Sequence, residues 1–341
     1  MKKPSWIRRV ALGMVALFTV GLVAGCGGGQ QAAAPKAEEK VKIALILPST
    51  IDDAAWAQSM YEGIKAVETK MGKDKLELRV SERLSKPVDA GAAIRQAASE
   101  GFSIVIAHGS QYQSVVQEVA KEFPKTTFAY GTGFQSGPNI FAYDPQAQEG
   151  AYLLGFLAGK LTKSNIVGIV GPVEAGDAIK YNKGFEQGVK AANPEAKLRI
   201  AYTGSFGDIV KAGELAKTHM DAGADVITGS SQQSVGGIKA VAAKPGAYWL
   251  STDMDQSSLA PETVLAAQAY NWEKVVTKMI ELRKAGTLGG QHLTISFAEG
   301  NLDLKINPKL ADKIPADVKA AVDKAKDEIV KGALKIEVSS K

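Results

Sequence analysis

Val41-Lys42-Ile43-Ala44-Leu45-Ile46-Leu47 is a short apolar run that ends in the polar segment Pro48-Ser49-Thr50-Ile51-Asp52-Asp53. Seven residues are too few for a buried helix, and the apolar positions do not alternate with polar ones. That pattern suits a central parallel strand covered on both faces. Helical spacing follows over about 54–71, and the same unit then repeats outward along the chain. Strands are expected at 76–80, 104–107, 127–130 and 139–143, with helices at 88–99 and 114–123. A second series has strands at 166–170, 198–202, 226–227, 248–251 and 264–269. Helices at 147–161, 178–192, 210–222, 235–243 and 272–285 separate them. Regular strand–helix alternation predicts an α/β chain with two doubly wound parallel-sheet lobes. The tail differs: 293–297 and 302–306 read as a hairpin across Glu299-Gly300, and 315–334 as a closing helix with Pro315 in its first turn.

The start of the chain has another character. Lys2, Lys3, Arg8 and Arg9 precede an uncharged apolar run over 10–24, which ends in Val23-Ala24-Gly25-Cys26. This combination reads as a lipoprotein signal peptide over 1–25, with Cys26, the single cysteine, as the lipidated residue. The run is short for a bilayer span. Acyl chains on Cys26 would anchor by burying methylenes, at roughly 0.8 kcal/mol each. Residues 26–40, small and polar, read as a flexible tether. The four leader cations leave 37 basic against 36 acidic residues, so the net charge of +5 carries no implication of nucleic-acid binding. With Cys26 committed to lipid, no disulfide and no cysteine-based metal site is expected.

In open α/β sheets, ligands sit beyond the carboxyl ends of the strands. The loops expected there hold Asp53 and Trp56; His108, Gln111 and Tyr112; Phe206 and Asp208; Ser230 and Gln232; Asp253 and Asp255. They offer aromatic faces, carboxylates and amides, an inventory for a polar, partly planar solute. Bland roles compete with this one. Asp53 and Asp208 precede helices and could serve as caps. Trp56, Tyr112 and Tyr181 could be packing residues. Asp253 and Asp255, at a strand end, are rarely needed for folding, which favours a site role. As alternate residues on an extended segment they point to opposite faces and do not make a metal or acid–base pair. No dinucleotide fingerprint, Walker loop or nucleophile elbow is present, and His108, His219 and His292 form no metal motif. His219, in mid-helix, reads as a surface residue. Neither an enzyme nor a cofactor is expected.

Several stretches, in order, resemble the basic membrane protein family, which includes purine-nucleoside-binding lipoproteins of ABC importers. They are Ile51-Asp52-Asp53 through Trp56 to Tyr61-Glu62-Gly63; Gln148-Glu149-Gly150 with Leu154-Gly155-Phe156-Leu157-Ala158-Gly159; Gly184-Phe185 with Gly188; Ser205-Phe206-Gly207-Asp208; Gly223-Ala224-Asp225-Val226-Ile227; and Asp253-Met254-Asp255-Gln256 with Leu259-Ala260-Pro261. The resemblance implies a type I periplasmic-binding-protein fold with a three-crossover hinge. It also implies a purine stacked between Trp56 and Phe206, with Asp253 at the ribose hydroxyls. Thr132 stands where the family has an acidic base reader, Gln232 where it has a glycine and Tyr270 where it has a lysine. Those departures favour a free base or similar heteroaromatic over a nucleoside.

The expected ligand-binding set is Asp53, Trp56, Gln111, Tyr181, Phe206, Ser230, Gln232, Asp253 and Tyr270. One lobe is expected over 41–144 and about 252–271, the other over 145–251 and about 272–341. The expected protein is a monomer, lipid-anchored on the extracytoplasmic face of the cell membrane, serving a separate permease and ATPase. A sugar- or polyol-binding protein, a ligand-sensing receptor and, less favoured, a nucleoside hydrolase are the rival readings.

Overall fold

In the computed structural model, which describes residues 40–338, the first strand is β1 (Val41–Ile46), and only Lys42 in it is not fully buried. It pairs in parallel with β2 (Leu76–Ser81) and β3 (Ile104–Ala107). The sheet continues through β4 (Thr127–Gly131) and β5 (Ile140–Pro145). Alternate residues explain the unbroken apolar run. Ile43, Leu45 and Ile106 join a core beneath the helix α1 (Trp56–Met71). Ala44, Ile46 and Val105 face the opposite way, against α2 (Pro87–Ser99) and α3 (Gln113–Glu122). A strand buried on both faces has no position for a polar residue, which is why this one reads as continuous hydrophobicity.

The second sheet is built alike. Parallel strands β6 (Ile166–Gly171), β7 (Lys197–Tyr202), β8 (Val226–Gly229) and β9 (Tyr248–Ser251) pair in the order β9-β8-β6-β7. The helices α4 (Ala147–Leu161) and α5 (Gly176–Ala192) cover one face; α6 (Ile209–Asp221) and α7 (Ser234–Ala242) cover the other.

The lobe boundaries expected for the later segments need correction. Strand β10 (Val264–Tyr270) pairs in parallel with β9, so it belongs to the second sheet and not to the lobe that holds 41–144. Helix α8 (Trp272–Lys284) then returns to the first lobe and packs on α1. The expected hairpin does not form. Strand β11 (His292–Ile295) extends the first sheet in parallel beside β5, while β12 (Leu302–Ile306) pairs antiparallel with β10 in the second. Helix α9 (Ala316–Val330) packs on α4. The chain therefore passes between the sheets three times: after Pro145, after Tyr270 and after Ile295. Which open sheet edge a short strand adopts is a long-range choice, and residue spacing carries no record of it.

The glycines of the family-like stretches have a packing role. A Cβ on Gly155 would overlap the carbonyl oxygen of Phe185, and one on Gly188 would overlap that of Tyr152. Gly184 is pressed in the same way against Gln148. Helices α4 and α5 thus meet backbone to backbone. Since overpacking typically costs 1–3 kcal/mol and more against rigid backbone, Gly155→Ala and Gly188→Ala should each remove at least about 2 kcal/mol of stability. Chemical denaturation checks this; a loss below about 0.5 kcal/mol would show that the helices can separate freely.

Candidate functional site

The carboxyl ends of both sheets open onto one cleft of about 640 Å³, including its space open to solvent. The first lobe contributes Pro48, Trp56, the 109–111 segment and Thr132. The second contributes Asp177, Ala178 and Tyr181 from the start of α5, then Phe206, residues 230–232, Thr252, Asp253 and Tyr270. Eight of the nine expected ligand residues therefore meet at one place, although the chain separates Trp56 from Tyr270 by 214 positions.

Asp53 is the exception. Its carboxylate accepts from the backbone N–H groups of Ala55, Ala57 and Gln58 at 2.9–3.2 Å and from the Ser49 hydroxyl. With both oxygens engaged at the start of α1, it does not line the cleft. Its work is to satisfy the free amides of a helix end. Asp208 likewise accepts from Lys211 N, and Asp255 from Ser257 N. Tyr112 is fully buried, with its hydroxyl on Leu84 O, and is a packing residue.

Trp56 is held by its surroundings. Its Nε1 donates to His108 O at 3.0 Å, and one face of its ring stacks on the His108 imidazole at 4.0 Å and 6°. Trp272 and Tyr270 meet it edge-on. His108 is completely buried; burial pushes its pKa down to about 3, so the ring is neutral. Its Nε2 donates to Trp56 O, and its Nδ1 accepts from the Tyr143 hydroxyl at 2.7 Å. A neutral imidazole thus backs the indole, leaving the other indole face for the cleft. His219 was expected at the surface. It is buried, with Nε2 on Ile169 O at 3.1 Å, in the space opposite Gly168.

Phe206 stands on the loop after β7 and is 46% exposed, so burial does not account for an aromatic there. Tyr181 sends its hydroxyl to Thr228 Oγ1, which donates on to Leu250 O, and so presents mainly its ring to the cleft. The Ser230 hydroxyl is buried and has no partner in the protein. Gln256 Nε2, on the second lobe, donates to Ala54 O on the first at 2.7 Å, tying the lobes together beside the site.

The acidic groups set the electrostatics. Asp253 adopts φ 74° just past β9, is 6% exposed, and has no hydrogen-bond partner for Oδ2. Burial, aided by the nearby Asp53 charge, pushes its pKa up to about 7. Asp177, on the first turn of α5, is raised well above the usual carboxylate range, chiefly by burial. The sequence reading passed over Asp177. The signal was available, because Pro172-Val173-Glu174-Ala175-Gly176-Asp177 follows a parallel strand just as the loops that hold Trp56, Phe206 and Asp253 do. Among the described residues, no lysine, arginine or histidine lines the cleft and no cluster of metal-ligating side chains occurs. The Cys26 anchor and the tether lie outside the described residues; among those described, no helix is long and apolar enough to cross a membrane.

Comparison with known proteins gives a consistent result. The family model described as Bmp, ABC transporter substrate-binding protein PnrA-like, matches residues 40–339. A purine-binding protein of Brucella abortus is 27% identical, over 92% of this chain and 87% of that relative. An ABC-transporter nucleoside-binding protein of Lactococcus lactis is 26% identical over 98% and 99%. Among solved structures, an ABC-transporter solute-binding protein of Conexibacter woesei superposes with a TM-score of 0.74 at 26% identity, over 87% of this chain and 98% of the other. One from Aeropyrum pernix reaches 0.78 at 18% identity, over 88% and 94%, which speaks to the fold.

Proposed function

The chain belongs to the Bmp family of PnrA-like ABC-transporter substrate-binding proteins, and from that premise we propose that it captures a purine, as free base or nucleoside, for import. Its α/β fold is that of type I periplasmic binding proteins. As a substrate-binding protein it takes a small-molecule ligand and works with a permease. The observation that carries the purine reading is the placing of Trp56 and Phe206, one from each lobe, on the same cleft. The indole face turned from His108 offers a rigid platform, and Phe206 supplies the second wall. Lobe closure brings the two together on a flat ring and buries it. Lipid on Cys26 holds the protein at the extracytoplasmic membrane face, near its permease.

Tyr270 and Gln232 both line the cleft, and among the described residues no lysine does. A ribose therefore meets two bulky side chains and no fixed cationic donor. This favours the base over its nucleoside.

A thermal-shift screen tests the reading. The purified full-length chain, in mild detergent, is stripped of carried-over ligand by unfolding and refolding. It is then heated with purine bases, nucleosides, pyrimidines, sugars and polyols. At a hundredfold excess over its dissociation constant, a true ligand adds about 2.7 kcal/mol. Adenine is expected to shift the transition more than adenosine. A response to sugars or polyols with none to purines would overturn the purine reading, and a strong preference for adenosine would overturn the base preference.

A further inference from the structure

We infer that Asp177 and Asp253 form a pair of hydrogen-bond acceptors that selects an uncharged or cationic, N–H-rich heterocycle, such as an amino-substituted purine, and rejects anionic derivatives. This rests on the purine reading and names the chemistry of the ring that fits.

Asp177 has one structural partner, an ion pair with Lys180 one turn along α5, which leaves most of its acceptor capacity unused. An aspartate in the first turn of a helix ordinarily accepts from free backbone amides, but α5 has no side-chain cap. Both Asp177 carboxylate oxygens are buried without a hydrogen-bond partner. The nearest cation, Lys180, stands 3.6 Å away and is hydrogen-bonded to Asp144 and to Pro145 O. Across the cleft wall, Asp253 is 94% buried by its 6% exposure, and its Oδ2 is likewise unpartnered. Ser231 supplies its one backbone hydrogen bond.

Acceptors left unmade in the interior are costly, and carboxylates more so. Two on one cleft are accounted for by a ligand that brings donors on two edges. The charges around them point the same way. Asp177 faces Lys180, Asp144 and Asp253, while Asp253 faces Asp53 and Asp177. Four acidic side chains thus share one ammonium near the cleft, and among the described residues no basic side chain lines it. A phosphate or carboxylate on the ligand would add like charge where nothing neutralises it. The hydroxyls of Tyr270 and Tyr181, held protonated by burial and by the nearby acids, supply no positive charge either.

The test is calorimetric titration of the full-length, ligand-stripped chain with adenine, hypoxanthine and adenosine monophosphate. It compares the unaltered protein with Asp177→Asn, Asp177→Ala and Phe206→Ala, each also melted without ligand. The unaltered protein should bind adenine most tightly and the monophosphate at least a hundredfold more weakly. Asp177→Asn and Asp177→Ala should weaken adenine at least tenfold. The unliganded melting temperature of Asp177→Asn should hold or rise, because asparagine keeps the shape of the side chain and carries none of the charge that burial already disfavours. A fall in both affinity and melting temperature would assign Asp177 to the fold and overturn the inference. So would adenine binding unchanged in both Asp177 variants, or monophosphate binding as tight as adenine; if adenine is still lost in Phe206→Ala, the purine reading survives. If no purine binds the unaltered protein, that reading fails and this inference with it.

Discussion

Phe206→Ala should weaken purine binding by about ten- to a hundredfold and leave the unliganded protein nearly as stable as before. Stacking one base on one aromatic ring is worth about 1–3 kcal/mol by alanine substitution, and each 1.4 kcal/mol is a factor of ten in affinity. Phe206 is 46% exposed, so its removal opens no cavity. Its loop keeps its shape through the backbone and small side chains. Thr203 Oγ1 donates to Ser205 O at 2.8 Å, Gly207 N to Ser205 Oγ at 3.1 Å, and Gln233 N to Phe206 O at 3.0 Å. None of these bonds needs the phenyl ring. Trp56→Ala makes the informative contrast. It would lose the ligand platform together with the His108 stack, the Trp272 and Tyr270 contacts and the bond to His108 O. Large aromatic truncations cost about 3–5 kcal/mol of stability, so both affinity and melting temperature should fall. Titration and denaturation of both variants separate the roles. Purine affinity within twofold of the unaltered protein in Phe206→Ala would remove Phe206 from the site.

Asp253→Asn should stabilise the unliganded protein at pH 8 and change little at pH 4. The carboxyl ionises at about 7 in the fold, against an ordinary 3.8. A raised acid contributes stability while protonated in the folded state. That contribution is complete below about pH 4 and is lost as the pH climbs through 7. Each pH unit between the two ionisation points is worth about 1.4 kcal/mol, so the unliganded protein gives up at most about 4 kcal/mol by pH 8. Asparagine mimics the protonated form and gives up none of it. The same change should weaken purine binding at pH 8, because a donor-bearing ligand is what offsets the buried charge. Denaturation midpoints across pH 4–8 check the sign. A difference between the two proteins that does not vary with pH would show that Asp253 is ionised at no cost.

These expectations show how unevenly the site was legible. Trp56, Phe206 and Asp253 could be read because the loop after a parallel strand is where an α/β sheet leaves room. Phe206 lies between small residues that give it nothing to pack on. Asp53 misled because a helix-capping aspartate and a ligand-binding one look alike until the amides are seen. Its carboxylate meets three backbone N–H groups and a serine hydroxyl, a pattern that requires the turn to be folded. Asp177 was missed although its loop obeys the same rule, and His108 showed no sign of lying flat behind the Trp56 indole. A buried polar residue just past the end of a central strand is interpretable only once its neighbours across 52 positions are known.

By itself the sequence determined the class of the protein. Apolar runs without alternation required sheets covered on both faces, and their alternation with helical spacing required parallel pairing. Local periodicity reports burial, and burial is a property each segment carries with it. Tertiary structure alone decided which edge β10, β11 and β12 would join, and so which residues belong to which lobe. It also decided that the glycines of α4 and α5 would meet backbone to backbone, and that Asp177 and Asp253 would face one cleft with no cation between them. Strand partnering, helix contact and charge proximity are relations between distant segments. Their energies exist only when the chain has brought those segments together.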